Sequence, residues 1–170
     1  GDRAVDQRRC RAGHVVTLED LLAREAIRDV MAKYTTSGDR LRIDDFVSCF
    51  TQDAVMESEH VPADRMFRYE GCAEIRAWQE RWLRGAGGTH GATFMRHHLS
   101  TSKIDLTGPD TAKARTYWVA WTDIGPDHAG YYLDTFRKVD GAWLIAHRRV
   151  RMDWEADASL FRSAISNSNT

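Results

Sequence analysis

Cysteine is scarce in this chain, and the three present, Cys10, Cys49 and Cys72, form no CxxC pair. An odd count without that spacing argues against a disulfide framework and offers no zinc site. Absent too is any apolar run approaching the ~20 residues of a membrane span. The opening GDRAVDQRRCRAGH carries charge with no apolar stretch behind it. Neither sign of charge prevails: 24 basic against 25 acidic side chains leave a formal charge of -1, so no global field favours nucleic acid or an anionic membrane. No HExxH and no His/Asp cluster at ligand spacing occurs, so no metal is expected. These absences predict a soluble, cytoplasmic protein that binds neither nucleic acid nor membrane.

What is present fits one domain. The 170 residues suffice for a single core, divided as an extension over 1–16, a domain over 17–155 and a tail over 156–170. Thr17 with Asp20 forms a capping-box pattern ahead of Leu18, Leu21 and Leu22. The apolar face then runs through Ala26, Ile27, Val30, Met31 and Tyr34, with Arg24, Glu25, Arg28, Asp29 and Lys33 on the wet side. Asp39 follows in a Gly-preceded turn, and Ile43, Phe46, Val47 and Phe50 continue at helical spacing. The carboxylate therefore falls at a bend between packed helices, where it can point into a cavity they cover. A first strand is expected over Thr51–Met56, a loop or hairpin over 57–70, and a third helix with Ile75, Trp78 and Trp82 on its face, those tryptophans being read as core. The stretch RGAGGTHGAT reads as a hinge, since no helix follows it to cradle a phosphate, and His60 reads as a solvated loop residue.

Four strand-like runs follow, Phe94–Leu106, Thr111–Thr122, Gly130–Val139 and Ala142–Trp154, with turn signals at Gly108-Pro109-Asp110, Gly125-Pro126-Asp127 and Asp140-Gly141. Helices first and strands in meander order predict an α+β fold, with about three N-terminal helices on one face of a curved antiparallel sheet.

The pattern Tyr34-x4-Asp39, then Phe50-x2-Asp53-Ala54-Val55, Gly71-x3-Ile75, Gly130-x-Tyr132-x-Asp134 and Gly141-x-Trp143-x-Ile145 with Arg148, resembles the SnoaL-like branch of the NTF2-like superfamily. Scytalone dehydratase, bile-acid dehydratase and lindane dehydrochlorinase relatives belong there. The resemblance spans about residues 17–154. It implies a cone-shaped, cystatin-like sheet with the helices on its concave face, and a homodimer or homotrimer formed through the sheet's outer face.

The chemistry is read from few residues. Arg96-His97-His98-Leu99 lies in a strand, where neighbours face opposite sides, so only one imidazole enters a pocket and the pair cannot jointly hold a metal. In the resembled family a His near this place pairs with the helix-turn Asp. Matching His97 to the family's His-x3-Asn puts Thr101 where Asn usually stands, and leaves His98 as the alternative, or as a substrate contact. A His fixed by Asp39 would abstract a proton near neutral pH. Alternatively Asp39 is itself the base, as in ketosteroid isomerase-like relatives, with Tyr34 as hydroxyl donor to a developing enolate. Arg148, a cation in the alternation Leu144, Ala146, Arg148, Val150, Met152, serves either to pair with Asp134 or to stabilise developing negative charge on the substrate. His147, Arg149 and Arg151 read as outer-face groups. Among the strand aromatics, Trp118 and Tyr132 are expected to contact substrate, and their bulk suits a flat, cyclic, largely apolar molecule. The resulting expectation is a cofactor-independent lyase or isomerase of dehydratase or polyketide-cyclase type. The alternative is a non-catalytic small-ligand binder, or an accessory chain such as the β subunit of ring-hydroxylating dioxygenases.

Overall fold

The structure, a computed structural model, describes residues 15–59, 63, 66–83 and 92–161. Cys10, His60 and the glycine-rich stretch 84–91 lie outside that set. Thr17 caps α1 (Leu18–Gly38), accepting from the Asp20 amide while Asp20 accepts from the Thr17 amide, which completes the capping box. The buried face of α1 consists of Ile27, Met31, Tyr34, Thr35 and Ser37. Leu18, Leu21 and Leu22, expected on that face, are exposed, and the buried face of the helix begins only at Ile27. Arg24, expected in water, instead bends inward and donates to the Ile104 carbonyl.

A short α2 (Ile43–Val47) follows, and Phe50 already belongs to β1 (Phe50–Ser58), so the apolar stripe crosses from helix into strand. The hairpin to β2 (Arg68–Glu70) leads into α3 (Gly71–Leu83). The remaining strands are β3 (Arg96–Gly108), β4 (Thr111–Thr122), β5 (Gly125–Val139) and β6 (Ala142–Glu155). The fold is α+β: a curved six-stranded sheet in the order β2-β1-β6-β5-β4-β3, not closed into a barrel. All neighbours are antiparallel except β1 with β6, which makes the sheet mixed where a wholly antiparallel one was expected. The two strands lie far apart in the chain, and the long connection between them, α3 included, lets both run the same way.

Strand alternation is clearest in β4, where Ala112, Ala114, Thr116, Trp118, Ala120 and Thr122 are buried in strict period two. It breaks at bulges in β5 and β6. Thr135 pairs with His147 but Phe136 with Ile145, so Ala146 is an extra residue in β6. Trp143 and Ile145 therefore face the core on one side of the bulge and Arg148 on the other, which corrects the expected run Leu144, Ala146, Arg148. In β5, Ala120 pairs with His128 and Trp121 with Pro126, leaving Asp127 as the extra residue. The turn expected at Gly125-Pro126-Asp127 thus lies earlier, at Asp123-Ile124, and Gly125 takes a φ of 93° to enter the strand.

Candidate active site

Tyr34, Gly38 and Asp39 reach the site from the end of α1. Asp39 is the helix C-cap, its N–H donating to the Thr35 carbonyl at 3.0 Å. The chain turns through Leu41 in the left-handed region, φ 53°. That elbow aims the carboxylate at β3. Oδ2 accepts from the His97 backbone N–H at 2.9 Å and Oδ1 lies 2.6 Å from His97 Nδ1. The Asp39 side chain is 6% exposed and that of His97 24%. With Nδ1 bound to the carboxylate, Nε2 is the ring nitrogen left for a ligand.

His98 has the opposite fate. It is exposed and tilts against Trp121 at 6.0 Å on the outer side, so the expectation that it contacts substrate is corrected by strand alternation.

A residue that sequence reasoning missed completes the site. His97 pairs with Ala120, and Ala120 with His128, so the three form one row across β3, β4 and β5. Because the middle member is alanine, the two imidazoles approach to 6.1 Å between centroids, at 83°. His128 Nδ1 lies 2.8 Å from Asp127 Oδ1. Asp127 is fully buried and also accepts from Thr122 Oγ1, Ser159 Oγ and the Leu160 N–H. Burial works to raise its carboxyl, but these hydrogen bonds outweigh it and hold the group below the usual carboxylate range. Burial pushes His128 below the ordinary histidine value, against the pull of Asp127. Period-two reading cannot place adjacent Asp127 and His128 both inside, and the bulge is what permits it.

Arg148 lies behind the site. Its Nε and Nη2 donate to Asp134 at 2.8 and 2.7 Å, both side chains are fully buried, and its guanidinium sits 3.9 Å over Tyr34 and 4.1 Å over Tyr132. Of the two roles expected for it, the ion pair with Asp134 is the one formed. Tyr34 and Tyr132 stand between it and the cavity, their hydroxyls raised by burial. Trp118 stacks on Tyr132 at 5.7 Å and meets His97 edge-on at 5.9 Å. His147 and Arg149, on the other side of β6, bond Glu57 of β1 and Glu59 just after it.

These groups share a cavity of about 600 Å³. Asp39, His97, His128, Tyr34, Tyr132 and Trp118 line it, together with Phe46, Phe67, Trp78, Trp82 and Phe161. Trp78 and Trp82, expected in the core, thus present surface to the cavity. Among the described residues no group of three or more His, Cys, Asp or Glu is placed to hold a metal ion. No described helix is long and apolar enough to cross a membrane.

The family model for the SnoaL-like domain matches residues 19–149. The chain belongs to the SnoaL-like family. Among solved structures, this SnoaL-like chain is similar to a putative scytalone dehydratase from Novosphingobium aromaticivorans, at 25% identity over 82% of this chain and 89% of that one, TM-score 0.66. It shares its fold with a LinA-type hexachlorocyclohexane dehydrochlorinase from Novosphingobium barchaimii, at 16% identity over 82% and 92%, TM-score 0.65. It also shares it with the β subunit of a putative aromatic-ring-hydroxylating dioxygenase from N. aromaticivorans, at 21% over 83% and 95%, TM-score 0.66. No curated protein matches this SnoaL-like chain significantly.

Proposed function

We propose that this SnoaL-like protein is a cofactor-independent lyase or isomerase of dehydratase type, in which His97 removes a proton from a cyclic, largely apolar molecule. The observation that carries this is the 2.6 Å contact between His97 Nδ1 and Asp39 at the wall of an aromatic-lined cavity. Both oxygens of Asp39 are engaged by His97. That favours Asp39 as the group that orients the ring over Asp39 as the base. Proton transfer runs from substrate carbon to His97 Nε2, and the electron pair left behind either forms a double bond as a leaving group departs or delocalises into a neighbouring carbonyl. Tyr34 supplies a hydroxyl near the developing oxyanion, and Arg148 contributes positive charge from behind the Tyr34 and Tyr132 rings. Trp118 and Tyr132 provide the flat surface on which the substrate ring lies.

The test is turnover of cyclic hydroxy-ketones and polyketide fragments by the wild type, His97→Gln and Asp39→Asn. Both variants should lose about two to four orders of magnitude in kcat, with melting temperatures close to wild type because Asn keeps an acceptor for the His97 amide. Equal turnover in the wild type and His97→Gln would sink the reading. The dioxygenase β subunit shows that the fold also serves accessory chains, but a purely architectural chain has no use for the sheltered His97–Asp39 pair. The protein is further proposed to be a homodimer or homotrimer through the outer face of the sheet, where Tyr117 and Trp121 are 45% and 41% exposed.

A further inference from the structure

We propose that His128 forms, beside His97, a second polar position in the cavity, which accepts a hydrogen bond from a ligand hydroxyl that is retained through the reaction. The argument starts at Asp127. The Leu160 N–H can only donate to it, and the Thr122 and Ser159 hydroxyls and His128 Nδ1 complete four contacts on its two oxygens. A carboxylate surrounded by donors is ionised and offers only lone pairs, as its lowered pKa also indicates. The hydrogen in the Asp127–His128 contact therefore sits on Nδ1.

A neutral imidazole has one N–H. Burial, joined by the neighbouring His97, disfavours the charged ring more than Asp127 and Glu155 favour it, so His128 presents Nε2 as a bare lone pair. No described residue donates to that nitrogen, and His128 lines the cavity. The ring is stacked on Phe161 at 4.3 Å and 23°, which covers a face and leaves the edge for the ligand. A lone pair in an aromatic-lined cavity is satisfied only by a donor, and on a cyclic, mostly apolar ligand that donor is an alcohol, phenol or enol hydroxyl.

The tautomer also decides what happens to this hydroxyl. Accepting its hydrogen bond pushes electron density onto its oxygen, and an oxygen so polarised is a poor leaving group, since departure requires a proton donor. The group seated at His128 is therefore kept, and whatever leaves does so elsewhere, beside the proton that His97 takes. The two rings, 6.1 Å apart, set the separation of these positions at about the width of one ring of the ligand. The choice of a hydroxyl and this last step rest on the proposed function; the hydrogen-bond-accepting nitrogen at the cavity wall does not.

The experiment uses the full chain labelled with 15N-histidine, and two probes of equal shape, 2-naphthol and 2-methoxynaphthalene. At neutral pH His128 is expected as the Nδ1–H tautomer. The wild type should bind 2-naphthol about tenfold more tightly than the ether, with a shift of the His128 Nε2 resonance. His128→Phe, which keeps a ring against Phe161, should lose the preference, and His97→Gln should keep it. An Nε2–H tautomer, equal response of the wild type to both probes including none to either, or a preference that survives in His128→Phe would overturn the proposal. Binding is read without turnover, so inactivity of His97→Gln bears on the proton-transfer reading alone.

Discussion

Arg148 is the largest fully buried side chain, bonded twice to Asp134 and clasped between Tyr34 and Tyr132. Burial alone would lower its pKa, yet the Asp134 carboxylate raises it, so the pair stays charged inside the core. Removing one member strands the other: Asp134→Ala should cost about 3–5 kcal/mol in urea unfolding. The double variant Asp134→Leu/Arg148→Met should cost much less than the two single changes summed. Full additivity would mean that the charges do not depend on each other. His128 makes a second prediction at this scale. Its folded pKa lies below its unfolded value of about 6.5, so below that pH the unfolded chain binds the extra proton and stability falls as pH falls. Melting temperature measured from pH 5 to 7.5 should drop towards acid more steeply in the wild type than in His128→Phe. Parallel curves would show that the ring titrates as if in water.

At the scale of elements, much was legible. The capping box fixed the start of α1, period two located β4, and the Asp140-Gly141 signal marks a tight turn in which those residues have φ of 50° and 83°. The His97–Asp39 contact was also within reach, because a helix elbow and a strand parity suffice to bring the two together. What the pattern hid lies at the bulges. One extra residue reverses which side chains face in, so Trp143, Ile145 and the Asp127–His128 pair fall on faces that strict alternation denies them. Exposure of Leu18, Leu21 and Leu22 was hidden for another reason: an apolar face reads the same whether or not a sheet extends beneath it. Gly130 bears on the β5–β6 ladder, where a Cβ would lie 1.9 Å from the Arg151 carbonyl oxygen. Gly130→Ala should therefore destabilise by about 1–3 kcal/mol or more, read as a lowered urea midpoint; an unchanged midpoint would mean the two strands separate there at little cost.

For the whole molecule, the described helices pack against the sheet's inner face, while Tyr117 and Trp121 of β4 are exposed on the other. Light scattering should give a mass that is a small multiple of the protomer, and Trp121→Glu should shift it towards the monomer. A monomeric wild type at tens of micromolar would exclude association through this face. The parallel seam between β1 and β6 has a further consequence. On one edge Val55–Glu57 pair with nearby Arg68–Glu70, but on the other Phe50 and Val55–Ser58 pair with Ile145 and His147–Val150, so the strand beside the elbow gains its second neighbour only once residue 150 has left the ribosome. A chain stalled before residue 142 therefore lacks the side of the cavity that Val150 and Met152 supply, and holds His97 and Asp39 beside an unfinished wall.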